Sequence, residues 1–223
     1  MTEDQHPELE WRGDVPVARR FDDPYFSLRG GLDETRHVFL AGNGLPGRFR
    51  DGFRIAELGF GTGLNALATL ASWRAAGIEG RFRFTSFERY PMAADDMARA
   101  VSVYPEMARL AAPVLAAMER GETRISTGEM DLEIVVGDAR ETVPAWAGAA
   151  DAWFLDGFSP AKNPELWEPA LLAEVARHTV PGGTAATYSA AGAVRRALAE
   201  AGFVVERQEG YGRKRHMTAA RLA

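Results

Sequence analysis

Asp156-Gly157-Phe158-Ser159-Pro160-Ala161-Lys162-Asn163-Pro164 follows an apolar run at 152–155, so a carboxylate leaves the end of a buried strand and enters a proline-rich polar loop. A carboxylate placed there can accept a proton or orient a reacting amine. The same residues also fit a strand-ending Asp that only accepts hydrogen bonds from the following turn. A second constellation, Gly59-Phe60-Gly61-Thr62-Gly63, joins an apolar stretch at 53–58 to a helical pattern. Such a loop brings backbone N–H groups and a helix N-terminus against a ligand that side chains would otherwise keep away. From Gly61 to Ala66 it also satisfies the Gly-x-Gly-x-x-Ala dinucleotide pattern.

Four acids mark one edge of the fold these elements predict. Glu57 lies just before the glycine loop, and Glu88, Asp138 and Asp156 end the next three strands. An acid at the end of the second strand suits the ribose hydroxyls of either a nicotinamide nucleotide or S-adenosylmethionine. The other three favour the sulfonium cofactor, which carries an ammonium and a sulfonium but no phosphate. Taken singly, each acid reads equally well as a helix cap or a turn residue.

The elements that must position these residues follow from periodicity. Strands are predicted at 53–58, 81–87, 132–136, 152–155, 184–189, 203–207 and 216–222, with the third forming the second arm of a hairpin that turns near Gly128. Helices are predicted from Leu64 to the stop at Gly77, from Ala93 with a break at Pro105, over 165–178, and over 191–201. Alternating strands and helices of this kind predict a mostly parallel sheet with helices on both faces. Residues 1–50 read as a small β-rich extension, including Arg36-His37-Val38-Phe39-Leu40 between glycine turns, packed on the domain formed by 51–223.

Composition narrows the chemistry. The chain has 223 residues, 46% of them apolar, enough for the core of one α/β domain. It contains no apolar run long enough to span a bilayer. Its start, Met1-Thr2-Glu3-Asp4-Gln5-His6-Pro7-Glu8, is acidic where a signal peptide would be basic, so a cytoplasmic location is expected. The net charge of −5 argues against indiscriminate nucleic-acid binding, despite basic clusters such as Arg213-Lys214-Arg215. There is no cysteine, which excludes disulfides, thiolate metal sites, iron–sulfur clusters and a cysteine nucleophile. No metal is expected. Methylation at carbon five of a pyrimidine through a cysteine adduct is therefore excluded, as is a radical route. What remains is direct attack on a sulfonium methyl by a heteroatom, most plausibly nitrogen, with Asp156 as the residue that orients or deprotonates it.

These residues resemble the methyltransferase domain of the bifunctional MnmC family and its stand-alone relatives, which complete 5-methylaminomethyl-2-thiouridine at the tRNA wobble position. The resemblance covers nearly the whole chain. It is carried by Phe21-Asp22-Asp23-Pro24-Tyr25-Phe26-Ser27, the segment 31–40, the segment 57–65, Ser86-Phe87-Glu88, the block 151–167, Pro181-Gly182-Gly183-Thr184 and Gly210-Tyr211-Gly212-Arg213-Lys214-Arg215. It implies a Rossmann-like S-adenosylmethionine-dependent fold, a seven-stranded sheet with an antiparallel last strand. The implied reaction is methyl transfer to the exocyclic amine of 5-aminomethyl-2-thiouridine.

Carried over, Gly59, Gly61 and Gly63 would approach the methionine part of S-adenosylmethionine, with Glu57, Phe60, Thr62 and Asn65 around them. Glu88 would hold the ribose, Asp138 and Ala139 the adenine side, and Asp156 would sit beside the transferred methyl. Tyr25 and Phe26 would stack on a flipped uracil, or else be core aromatics. Lys162 and Asn163 would reach the base or a phosphate. Arg213, Lys214 and Arg215 would meet the anticodon stem-loop, or else form a solvated turn. The family's larger members add a flavin (FAD) oxidase domain that exposes the amine. This chain stops at Ala223, so a separate oxidase or another upstream tRNA-modifying enzyme is expected to supply it, and a monomer is favoured. The rival readings are an N-methyltransferase with a different amine acceptor, a non-catalytic cofactor-binding partner of a flavin oxidase, and a nicotinamide dehydrogenase.

Overall fold

Alternation along the central strands decides which residues meet which helices. In the computed structural model, which describes residues 6–27 and 30–223, β4 (Phe53–Leu58) turns Phe53 and Ile55 to one hydrophobic cluster and Ala56 and Leu58 to another. β8 (Ala150–Leu155) repeats the pattern, with Ala152 and Phe154 on the first face and Trp153 and Leu155 on the second. The first face is covered by α2 (Leu64–Ala75), α3 (Ala94–Val101) and α4 (Pro105–Glu119). The second is covered by α5 (Ala139–Ala145), α6 (Pro169–Arg177) and α7 (Gly192–Glu200). Both faces being buried, these strands read as nearly continuous apolar runs.

β4 and β8 form the centre of an eight-stranded sheet. Its remaining strands are β5 (Phe82–Glu88), β6 (Arg124–Ser126), β7 (Met130–Val136), β9 (Thr179–Thr187), β10 (Phe203–Glu209) and β11 (His216–Leu222). The order is β10-β11-β9-β8-β4-β5-β7-β6. The five strands β9, β8, β4, β5 and β7 pair in parallel, while β11 runs antiparallel to both of its neighbours. The chain builds outward from β4 through β5 to β7, then returns to the other side of β4 with β8 and β9. The order therefore reverses between β4 and β8, and ligands of open α/β sheets bind where such a reversal leaves a crevice at the strands' carboxyl ends.

The structure corrects the predicted elements at four places. The first arm of the hairpin, β6, joins the sheet as an eighth strand beside β7. Residues 139–145 form α5, a helix not expected, capped by Asp138 and carrying Pro144 within its seven residues. The helix expected over 165–178 is split, because Pro169 starts α6 after a short 3-10 turn at Pro164–Trp167. The N-terminal extension does contain a small antiparallel sheet of β1 (Leu9–Arg12), β2 (Val15–Ala18) and β3 (Asp23–Pro24). Its second half, however, is helical. α1 (Gly31–Thr35) continues as a π turn at Arg36–Leu40 and a 3-10 turn at Ala41–Asn43. Val38, Phe39 and Leu40 are all buried, and a short fully buried apolar run has no periodicity that separates strand from helix. The acidic start at 1–5 lies outside the described residues.

Asn43 joins this helical arm to the sheet. It is 1% exposed, and its amide donates to the carbonyls of Phe39 and Trp153 at 2.9 and 3.2 Å. Its Oδ1 accepts from the Thr184 hydroxyl at 2.6 Å, and Arg48 donates to the Asn43 and Asp151 carbonyls at 2.8 and 3.0 Å. Asn43→Ala strands buried partners on β8 and β9 and should destabilise the protein by about 1–3 kcal/mol. Urea unfolding followed by fluorescence and by circular dichroism should show one shifted transition for both probes if the arm and the sheet unfold together.

Candidate active site

Parity along the strands assembles the site. Glu57 in β4 and Ser86 in β5 are register partners, and both follow the alternation that places Phe53, Ile55, Phe82 and Phe84 under α2. Asp156, two residues beyond Phe154, continues the same face of β8. Asn65, in the first turn of α2, lies over all three. Its Nδ2 donates to Glu57 Oε1 at 2.8 Å and to Asp156 Oδ2 at 2.7 Å, and its Oδ1 accepts from the Thr35 hydroxyl at 2.9 Å. Ser86 donates to the other Glu57 oxygen at 2.6 Å. Burial in this apolar setting pushes the Asp156 carboxyl up to about 7, opposed by the Asn65 hydrogen bond; the charge of Glu34 raises it further and that of Lys214 lowers it. Burial likewise holds the Glu57 carboxyl well above its ordinary value.

Asp156 opens into a cavity of about 1240 Å³, roomier than a typical single-ligand pocket. Its wall includes Gly59, Phe60, Gly61, Thr62, Asn65, Glu88, Asp138, Ala139 and Asp156, the greater part of the residues expected to contact a cofactor. Glu57 and Gly63 lie behind that wall. Glu57 is fully buried against Ser86 and Asn65, and a Cβ on Gly63 would strike Met97 and Phe60. Glu88 is half-buried and accepts backbone N–H groups of Gly61 at 3.1 Å and Tyr90 at 2.7 Å, while burial raises its carboxyl. Asp138 is both wall and cap. It accepts from the Arg140 amide at the start of α5 and pairs with Arg140 at 2.7 Å and Arg89 at 2.6 Å. Hydrogen bonding from Arg140 holds its carboxyl at about 2.

Of the expected substrate contacts, Tyr25, Phe26, Asn163, Arg213 and Lys214 line the cavity, whereas Lys162 and Arg215 do not. Tyr25 sits edge-on to Phe158 with centroids 5.1 Å apart, and Phe21 stacks on the same ring at 4.8 Å. Lys162 turns back to the extension, donating to the Asp22 carbonyl and pairing with Asp22 and Asp23 at 3.5 Å each. Together with Asp23 accepting the Ser159 amide at 2.9 Å, this makes Lys162 a tie between β3 and the loop after β8. Sequence reasoning assigned no role to Glu34 or Tyr188, which also line the cavity. Glu34 precedes Val38 by four residues, so a helical reading of 31–40 would have placed both on one buried face.

Buried carboxylates of different proton affinity, a glycine-rich strand end and aromatic walls can hold a cationic nucleoside-like ligand and a second substrate together. A model of the S-adenosyl-L-methionine-dependent methyltransferase family matches residues 105–223. The "tRNA 5-methylaminomethyl-2-thiouridine biosynthesis bifunctional protein MnmC" of Pseudomonas paraeruginosa is 46% identical over 97% of this chain, which covers 35% of that protein. The protein of the same name from Caulobacter sp. is 44% identical over 99% of the chain, covering 39% of its own length. The chain thus spans little more than a third of the curated relatives it matches. The crystal structure of MNMC2 from Aquifex aeolicus superposes with a TM-score of 0.77 at 27% identity, covering 98% of this chain and 71% of that one. The matched sequence and the shared architecture lead to one assignment: the chain belongs to the S-adenosyl-L-methionine-dependent methyltransferase family.

Proposed function

We propose that this protein methylates the exocyclic amine of 5-aminomethyl-2-thiouridine at the wobble position of tRNA, giving 5-methylaminomethyl-2-thiouridine. The observation that carries the reading is Asp156, a carboxyl held near neutrality at the strand-order reversal, within a cavity large enough for two ligands. The names of the relatives supply the acceptor, and an FAD oxidase or another upstream modifying activity supplies the exposed amine. The acid-lined wall fits S-adenosylmethionine. In this reading Gly59, Gly61 and Asn65 hold the methionine part, Glu88 the ribose, and Asp138 with Ala139 the adenine side. Bound there, the cofactor supplies an electrophilic methyl group.

The chain's own residues prepare the acceptor. An alkylamine has a pKa near ~10, so it arrives as an ammonium and must lose a proton before its lone pair can attack. Asp138, pinned at about 2 by arginines, is a poor acceptor for that proton. Asp156, at about 7, is matched to the task at neutral pH. Desolvation in the cavity lowers the ammonium's pKa toward that of Asp156 and narrows the gap between them. Tyr25 and Phe26 offer aromatic faces for an extruded base, and Asn163 and Arg213 line the same opening.

Labelled cofactor and tRNA bearing 5-aminomethyl-2-thiouridine should give label at the wobble base; an unlabelled, verified substrate would sink the reading. Asp156→Ala should keep cofactor affinity within a few-fold while turnover falls by about a hundredfold, the usual scale for a positioned base. Equal losses in both would instead make Asp156 a binding residue. The pH dependence has a definite sign. The folded carboxyl holds its proton up to about 7 against an ordinary 3.8, so its contribution to stability is complete below pH 4 and is lost as pH rises through 7. Asp156→Asn keeps an acceptor for Asn65 without the buried charge. It should be more stable than wild type above pH 7, with the difference closing toward pH 4 in paired thermal melts.

A further inference from the structure

Lys214 reaches Glu34 from an exposed turn. Its ammonium lies 2.8 Å from Glu34 Oε1 and 3.8 Å from the centre of the Tyr188 ring. The Lys214 side chain is 41% exposed, whereas that of Glu34 is 11% exposed and also accepts from the Ser27 hydroxyl. Tyr188 is fixed by donating to the Gly157 carbonyl at 2.7 Å, one residue past Asp156. A buried carboxylate, held by a hydroxyl on its far oxygen, and an aromatic face around one ammonium are the recognition chemistry of an alkylammonium ion. All of these groups line the same cavity as Asp156.

The turn that carries Lys214 is anchored without it. His37 Nε2 lies 2.9 Å from the Glu209 carbonyl, and the Tyr211 hydroxyl packs so closely on Gly30 that a Cβ there would approach to 2.7 Å. The Lys214 ammonium can therefore leave Glu34 for solvent while the turn stays docked. Exchange of one ammonium for another conserves the charge of the site, so Glu34 is never left as an unpaired buried anion.

We propose that Glu34, held in place by the Ser27 hydroxyl, and the Tyr188 ring form a subsite for the alkylammonium of the acceptor, and that Lys214 is a built-in occupant which the acceptor displaces. This rests on the amine-methylating reading and adds a second carboxylate to it. Asp156 takes one proton from the ammonium. Glu34 then faces the positive charge that returns to nitrogen as the new N–C bond forms and the S–C bond breaks.

The two halves of the pair should respond in opposite directions. Glu34→Gln keeps the bond to Ser27 but should raise KM for the aminomethylated tRNA by about tenfold or more, while affinity for the same tRNA lacking the aminomethyl group stays unchanged. Lys214→Ala removes the occupant and should lower that KM. Two outcomes overturn the proposal: a KM raised in both variants, as for a structural ion pair, or Lys214→Ala weakening both tRNAs alike with a shallower salt dependence, as for a phosphate contact. An arm independent of turnover uses n-propylammonium chloride. It should raise the melting temperature of Lys214→Ala where n-propanol does not, and should have no effect on the Lys214→Ala, Glu34→Gln double variant. Equal responses in the single and double variants would refute the subsite. If wild type fails to methylate the aminomethylated tRNA, the proposed function falls, and the propylammonium arm still decides the subsite.

Discussion

The site depends on one neutral side chain serving two acids. Asn65 has two amide hydrogens, and both go to carboxylates, Glu57 on β4 and Asp156 beyond β8, while its oxygen takes the Thr35 hydroxyl. Its hydrogen-bonding capacity is nearly used up, and its rotamer is fixed from three directions. An amide orients a carboxylate without adding the positive charge that would pull its proton off. A lysine or arginine at this position would have produced a buried salt bridge and an acid with no affinity for a proton near neutral pH. The pattern of burial follows from this choice. Two acids share one amide in an apolar layer, so both are pushed upward, and the one that opens to the cavity is left able to exchange protons.

The same rim shows the opposite arrangement at Asp138. There, the chain places two arginines and a helix amide around the carboxylate, and its proton affinity falls to about 2. Acids at the ends of β7 and β8, on one sheet edge with β5 and β4 between them, are thus separated by their partners into one that stays ionised and one poised near neutrality, the separation that assigns acid–base roles within a site. The N-terminal extension holds the loop that follows Asp156. Phe21 and Tyr25 cover Phe158, Asp23 accepts the Ser159 amide, and Lys162 ties the loop back to β3. Lys162 is therefore spent on tying the extension to the loop that follows Asp156.

What the sequence revealed of this site, and what it concealed, divides along local and distant interactions. Strand-end acids and the glycine loop were legible because parity and turn chemistry are local. Asp156 stood out because an apolar run delivered it. Glu57 was placed with the other acids, yet its position inside the strand rather than after it buries it completely under α2. Lys162 and Lys214 were read as substrate contacts on the family resemblance, and no local pattern pointed to their actual partners, Asp22 and Glu34, which lie 140 and 180 residues away. α5 was missed for a different reason: seven residues containing a proline make too little pattern to register as a helix, and the Asp138 cap and packing with Trp146 and Trp153 sustain it.

The glycine loop shows how a motif can be legible for a reason other than the one that drew attention to it. Gly59 has a φ of +91°, and a Cβ there would fall 2.4 Å from the Asp156 carbonyl oxygen. The Asp156 amide donates to the Leu58 carbonyl at 3.1 Å, and the Gly59 amide donates to Phe87 at 2.9 Å. The ends of β4, β5 and β8 are therefore closed on one another through backbone that no side chain could share. A Cβ on Gly61 would likewise meet the Tyr25 ring at 3.0 Å. These positions lack side chains so that the chain can approach itself. Because the atom nearest Gly59 belongs to Asp156, the glycine loop and the Asp-Gly-Phe block form one device: whatever displaces the loop also displaces the carboxylate, and with it the amide and the second acid to which it is bound.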